Sequence, residues 1–207
     1  MKLCELIELL RKSETVVSID TRRDEIREII PKVEIMFDFD QQNIAHQYDL
    51  WMHTLHAVVN LPKDIPDDMV YLAALLHDIG KPDSQILGKD PDDTYKHYYG
   101  HPHRSMEIVR DEIIPLLQQK GECLSPDEQR RLIYYVEWHD DRMSLRIKHL
   151  RQHLKMGASF EEFRNLMKLQ LADAEAHIMI PIVRERVDVC SKLAGEYGEE
   201  LYRQILD

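Results

Sequence analysis

The sequence predicts an all-α fold, a single globular helical bundle, on three observations. Helix-favouring residues dominate the 207 positions, and the apolar–polar alternation of half-buried strands is rare. Helix start signals recur: Ser125-Pro126-Asp127-Glu128 and Ser159-Phe160-Glu161-Glu162 are capping boxes, and Pro102 and Pro181 suit first helical turns. A hydrophobic share of 43% supplies a sizeable core, undivided by any internal repeat or low-complexity linker.

The elements follow in order. Met1 to Lys12, interrupted by Glu5 and Glu8, reads as an amphipathic helix and not as a signal peptide. Thr21 with Asp24 opens a segment to about Ile30, which Pro31 interrupts. Asp38 and Asp40 fall in a solvated loop, and a second helix runs from about Ala45 to Asn60, ahead of Pro62. Met69 to Leu76 is apolar on every side, the signature of a fully buried helix. Gly80 is expected to close it as a left-handed residue, with Pro82 blocking continuation. Polar, turn-rich Asp83 to Gly100 reads as a long loop, and Pro102 sits in the first turn of the next helix. The capping boxes open helices through Trp138 and to about Ile178, and Pro181 starts a last helical stretch kinked near Gly195 to Gly198. Residues 1–41 form a helical lead-in on this reading, 42–178 the main domain, and 179–207 a helical extension packed on the same domain.

Composition excludes several functions. Lys plus Arg is 27 against 38 Asp plus Glu, a net charge of −11, which disfavours long nucleic acid as a partner. Cys4, Cys123 and Cys190 are scattered and odd in number, which points to a reducing, cytoplasmic setting without disulfides or thiolate zinc. No apolar run approaches the ~18 residues that a membrane span needs. Gly80 is the first of only seven glycines, and none has the spacing of a phosphate-cradling loop or dinucleotide fingerprint.

What remains is imidazole and carboxylate chemistry. His77-Asp78 ends the most apolar helix, where an ionised carboxylate is costly unless it is paired or holds a metal. Adjacent helical residues point about 100° apart, so both can reach one point only near a helix end. Alternatively, Asp78 caps the following loop. Asp173 projects from an apolar arc defined by Phe163, Leu166, Met167 and Leu169, with Gln170 and His177 in the same arc. A metal shared with His77-Asp78 would supply its counter-charge, as would a buried arginine. On the second helix His46, Asp49 and His53 form a stripe opposite Trp51, Leu55 and Val58, facing either water or a cleft, and His56 competes with His53 as a ligand. His101 opens one helix and His139 follows another, where a helix C-terminus suits a histidine without any metal. Lys81 is placed to meet a phosphate and to neutralise a helix end, and both can hold together. Arg142 to Lys155 holds five Lys and Arg and no acid, either a solvated face or a rim for an anionic substrate.

The order His53, His77-Asp78, Asp173 resembles the H…HD…D pattern of the HD-domain metal-dependent phosphohydrolase superfamily, and Leu72 to Pro82 resembles its core motif. Gln42 to Thr54, Tyr98 to His101 and Leu171 to Ala176 resemble the C-terminal HD portion of bacterial tRNA nucleotidyltransferases. Lacking early glycines, the chain looks like a stand-alone HD domain. The resemblance implies a helical bundle of that type with a metal on His53, His77, Asp78 and Asp173. A second metal on His101 and His139 would leave Asp78 bridging. Asp78, Lys81, His101 and His139 would carry the chemistry. The cofactor would be one or two divalent ions (Mn, Fe, Co, Ni, Mg or Zn). The expected reaction is hydrolysis of a phosphate ester of a nucleotide or similar small phosphorylated metabolite. RNA-end or cyclic-phosphate processing and a non-catalytic metal-binding or ligand-sensing module are the alternatives.

Overall fold

The computed structural model describes residues 1–88 and 94–207. It is 66% helix and 2% strand, an all-α bundle as the sequence predicts. Its centre is α5 (Met69–Leu76), every residue of which is buried. Against it pack α1 (Leu3–Lys12), α4 (Leu50–Asn60), α9 (Pro126–Trp138) and α11 (Phe160–Glu175). This explains why α5 has no polar face: four helices occupy every direction around it. The N-terminal shell also contains α2 (Val16–Asp20), α3 (Arg23–Ile29) and a 3₁₀ turn at Pro31–Met36. Asp38 and Asp40 are exposed, in keeping with a solvated loop.

Both capping boxes form. The Ser125 hydroxyl accepts from the Glu128 N–H at 3.3 Å while Glu128 accepts from the Ser125 N–H at 2.7 Å. Ser159 and Glu162 repeat the exchange at 3.1 and 2.8 Å. Each satisfies two amides that a helix start would otherwise leave unpaired.

Several boundaries differ from expectation. Thr21 does not open a helix but ends α2, its hydroxyl donating to the Val17 carbonyl at 2.9 Å, while Thr15 caps α2. The second helix begins at Leu50 rather than Ala45, because the Asp49 carboxylate accepts from the Met52 N–H at 2.8 Å and makes Asp49 the N-cap. His46 therefore lies in the preceding loop and shares no helical stripe with His53. Pro82 does not stop the chain from turning helically: it sits in the first turn of α6 (Lys81–Ser84), where its missing N–H costs nothing. Of the long loop expected over Asp83 to Gly100, residues 86–87 and 96–97 pair as antiparallel strands β1 (Ile86–Leu87) and β2 (Lys96–His97), and 89–93 lie outside the described residues. α7 (His101–Ile108) runs through a π-helical turn at Val109–Ile113 into α8 (Ile114–Gln119). Pro115, with no N–H to give to the preceding turn, accounts for that widening. The C-terminal third holds α10 (Ile147–Lys155), α12 (Pro181–Ala194) and α13 (Glu196–Leu206), the last two broken at Gly195. α12 packs along α11 more extensively than any other helix does.

Gly80 has φ −85°, so it is not a left-handed residue. It is glycine for proximity: a Cβ there would lie 2.5 Å from the Ser105 nitrogen and 2.8 Å from the His101 carbonyl oxygen. The α7 backbone rests directly on it, and the Gly80 N–H donates to the Ser105 hydroxyl at 2.9 Å. Gly80→Ala is therefore expected to destabilise the fold by about 1–3 kcal/mol, the usual cost of overpacking, read from urea unfolding.

Candidate metal centre

His77 and Asp78 leave the end of α5 into the middle of the bundle, 0% and 1% exposed. α4 brings His53 and α11 brings Asp173 to the same point, and ligand atoms of the four residues all lie within 4.8 Å of one another. Asp78, His101 from the start of α7 and His139 from the end of α9 form an adjoining group. The six residues singled out from the sequence thus meet in one buried cluster, and His53, placed by periodicity on a surface or cleft stripe, is buried.

Asp78 belongs to both groups through different oxygens. Its Oδ2 lies 3.2 Å from His77 Nε2 and 3.4 Å from His53 Nε2, and its Oδ1 lies 3.1 Å from His101 Nε2 and 3.4 Å from His139 Nε2. Asp173 Oδ1 completes the first group, 3.0 Å from His53 Nε2 and 3.5 Å from His77 Nε2.

Three rings are held the same way. His77, His101 and His139 direct Nδ1 at the backbone carbonyls of Ala74, Tyr98 and Val136, each three residues upstream, at 2.8, 2.8 and 2.7 Å. A carbonyl only accepts, so Nδ1 carries a proton and Nε2 of the neutral ring turns a lone pair to the cluster. The His101 and His139 Nε2 atoms face each other at 3.2 Å, and His77 Nε2 has no hydrogen-bond partner among the described residues. Lone pairs converging on shared carboxylate oxygens are a donor set that a divalent cation fits, made of imidazole and carboxylate without thiolate.

Lys81 sits beside this set. Its ammonium is 2.7 Å from Asp78 Oδ2, donates to Gln41 Oε1 at 3.0 Å, and lies 3.5 Å from His46 Nε2. The site opens into a cavity of about 300 Å³, whose wall includes His46, Lys81, Tyr98 and His177. The Ile178 N–H donates to the Ala45 carbonyl at 2.9 Å and brings the His46 and His177 rings to 4.4 Å. Burial keeps both rings neutral, with His177 pushed down to about 4.

The sequence alternatives resolve unevenly. His56 is not in the cluster but stacks on Tyr48 at 4.2 Å. His103 is exposed beside Glu107 and Glu137. None of the basic side chains between Arg142 and Lys155 lines this cavity among the described residues. Arg186 of α12 does. Its guanidinium donates to the His139 carbonyl at 2.6 Å and to Asp140 Oδ1 at 2.7 Å, and stands 3.5 Å from Asp173 Oδ2. Asp173 therefore has both partners that its apolar surroundings demand, the histidine cluster on one oxygen and an arginine on the other. Gln41 and Arg186 were not singled out in the sequence, and Tyr98 entered only through the resemblance of the stretch from Tyr98 to His101, with no role attached. Gln41 lies in an irregular segment without a pattern, and Arg186 looks like any charged residue of an amphipathic helix.

The family model of the HD domain matches residues 43–179, and the chain belongs to that family. A multifunctional CCA protein of Nitrosococcus oceani is 33% identical over 82 residues, 39% of this chain. The matched stretch spans 19% of that protein's length. No solved structure matches the chain significantly. HD domains are typically metal-dependent phosphohydrolases, and the buried His/Asp cluster suits that class.

Burial opposes charge on His77, yet Asp78 and Asp173 outweigh it and push its pKa from 6.5 up to about 10 in the metal-free protein. Burial likewise disfavours ionised Asp78, but His77 and Lys81 hold its carboxyl well below its usual range. A raised folded-state pKa stabilises fully below about 6.5 and is lost as pH rises through about 10. Metal-stripped protein should therefore lose thermal stability between pH 7 and 10, and metal loading at pH 7 should release about one proton per ion as His77 becomes a neutral ligand. Melting scans and calorimetry in buffers of different ionisation enthalpy read the two effects.

Proposed function

We propose that this protein is a metal-dependent phosphohydrolase that cleaves a phosphate ester of a nucleotide or similar small phosphorylated metabolite by activating water. The observation that carries the reading is Asp78, whose two oxygens each serve a separate set of imidazole lone pairs. His53, His77, Asp78 and Asp173 would hold one divalent ion, and Asp78, His101 and His139 a second. A cation held there supplies polarisation of a phosphoryl oxygen and lowers the pKa of the water it holds.

The protein's own groups supply the rest. Lys81, placed by Asp78 and Gln41, offers a point charge to a phosphate oxygen at the cavity floor. Tyr98 walls the cavity, its hydroxyl donating to the Gln41 carbonyl, and fixes the segment that holds Lys81. The carbonyl tethers keep the imidazoles in one tautomer and orientation, so little reorganisation is needed when a substrate arrives. The confined cavity favours a small substrate.

Elemental analysis of the purified protein should find a bound divalent metal. A panel of aryl phosphates and nucleotides, assayed with added Mn, Co, Ni or Mg, should reveal hydrolysis. His77→Ala and Asp78→Ala should lose both metal and turnover while keeping the helical circular-dichroism spectrum. Activity shared equally by wild type and both variants would identify a contaminant and sink the reading.

A further inference from the structure

Beside the metal cavity lies a second one, of about 290 Å³. The two share Asp140 and Arg186 in their walls, so the Arg186 side chain, 25% exposed, is the partition between them. Their chemistry differs. The metal cavity presents imidazoles and the Lys81 ammonium, suited to an anion. The second presents Met143, Ile182 and Val189, with acidic Asp141 and Glu185 at its margin. Ile182 is 61% exposed in the first turn of α12, and its neighbours Ile178 and Met179 are 40% and 41% exposed. Such apolar surface contributes nothing to the core, and beside a polar cavity it is the usual dress of a ligand site.

We propose that this second cavity is the subsite for the organic group of the substrate, an uncharged group with an apolar face, while its phosphate occupies the metal cavity. The proposal rests on the phosphohydrolase reading and extends it to the part of the substrate beyond the scissile bond. Adjacency decides the occupant: Asp140 and Arg186 wall both cavities, so a group esterified to a phosphate in the metal cavity adjoins the one lined by Met143 and Val189. Charge decides its class. With Arg186 and Asp140 paired to each other, Asp141 and Glu185 are left in the wall against Arg142. Asp141 keeps its negative charge, its carboxyl held below the usual range by buried His153, whose Nε2 lies 3.6 Å away. A second anionic group on the substrate would meet this excess of carboxylates and be repelled.

Non-hydrolysable phosphonates separate the two cavities without relying on turnover. Methylphosphonate reports the metal cavity alone, and phenylphosphonate reports both, each titrated calorimetrically into the manganese-loaded protein. Phenylphosphonate should bind about ten- to a hundredfold more tightly, the worth of one buried aromatic ring, and 4-carboxyphenylphosphonate should lose that advantage. Val189→Trp, which fills the cavity, should abolish the advantage and leave methylphosphonate within about twofold of wild type. Ile182→Asp changes an exposed position that the fold does not need, and should do the same. Equal binding of the methyl and phenyl compounds by wild type, or an advantage that survives both substitutions, overturns the subsite. An undiminished affinity for the carboxyphenyl compound overturns its charge preference. If neither methyl nor phenyl compound binds, the phosphate-cavity reading falls with it. If the expected binding appears but no phosphate ester is hydrolysed, the hydrolase reading falls and the subsite stands.

Discussion

A buried carboxylate organises this molecule. Asp78 lies at the centre of the bundle, where holding a negative charge away from water costs several kcal/mol unless partners surround it. Those partners come from every side: His77 from its own helix, His53 from α4, His101 from α7, His139 from α9, and Lys81 from the turn that follows. The apolar length of α5 is the other half of the same constraint. A helix packed on all faces by apolar residues can deliver a charged end to one point and nowhere else. The close seat of α7 on Gly80 then sets how near His101 can come.

The second level of order is in the backbone. Side chains as long as histidine could swing, yet three of the rings are pinned by the carbonyl one turn behind them. Donor geometry therefore follows helix geometry. This arrangement places the cluster's shape under the control of helix packing, which is dense and slow to deform, and not of surface loops.

The bundle was legible in the sequence where local chemistry decides structure. Ser125 and Ser159 announce their helices because a capping box satisfies amides regardless of what lies beyond it. The buried run from Met69 to Leu76 announces itself because no exposed helix can be apolar all round. Misreadings arose where a residue had two uses. Thr21 can start a helix or end one, and only the Val17 carbonyl settles it. Gly80 can supply a left-handed turn or room for a neighbour, and α7 is distant in sequence. Asp78 and Asp173 could be picked out because charge on an apolar helix needs an explanation, whereas His53, His101 and His139 stood out only through the resemblance to the HD pattern. Lys81 could be placed by its position just past a helix end. Arg186 could not, since its helix is amphipathic and its partners, His139, Asp140 and Asp173, belong to other segments.

Arg186 also bears on where the functional unit ends. The family match closes at residue 179, whereas the guanidinium that braces His139 and Asp173 comes from α12, beyond it. The same helix buries Val183, Cys190 and Leu193 against the bundle, and the Cys190 thiol donates to Gln170 on α11. Modularity drawn from family boundaries and modularity drawn from packing thus disagree at both ends, since α1 also packs on α5 from outside the match. An excised fragment that honoured only the former would carry every candidate ligand and still lack one wall of its own cavity.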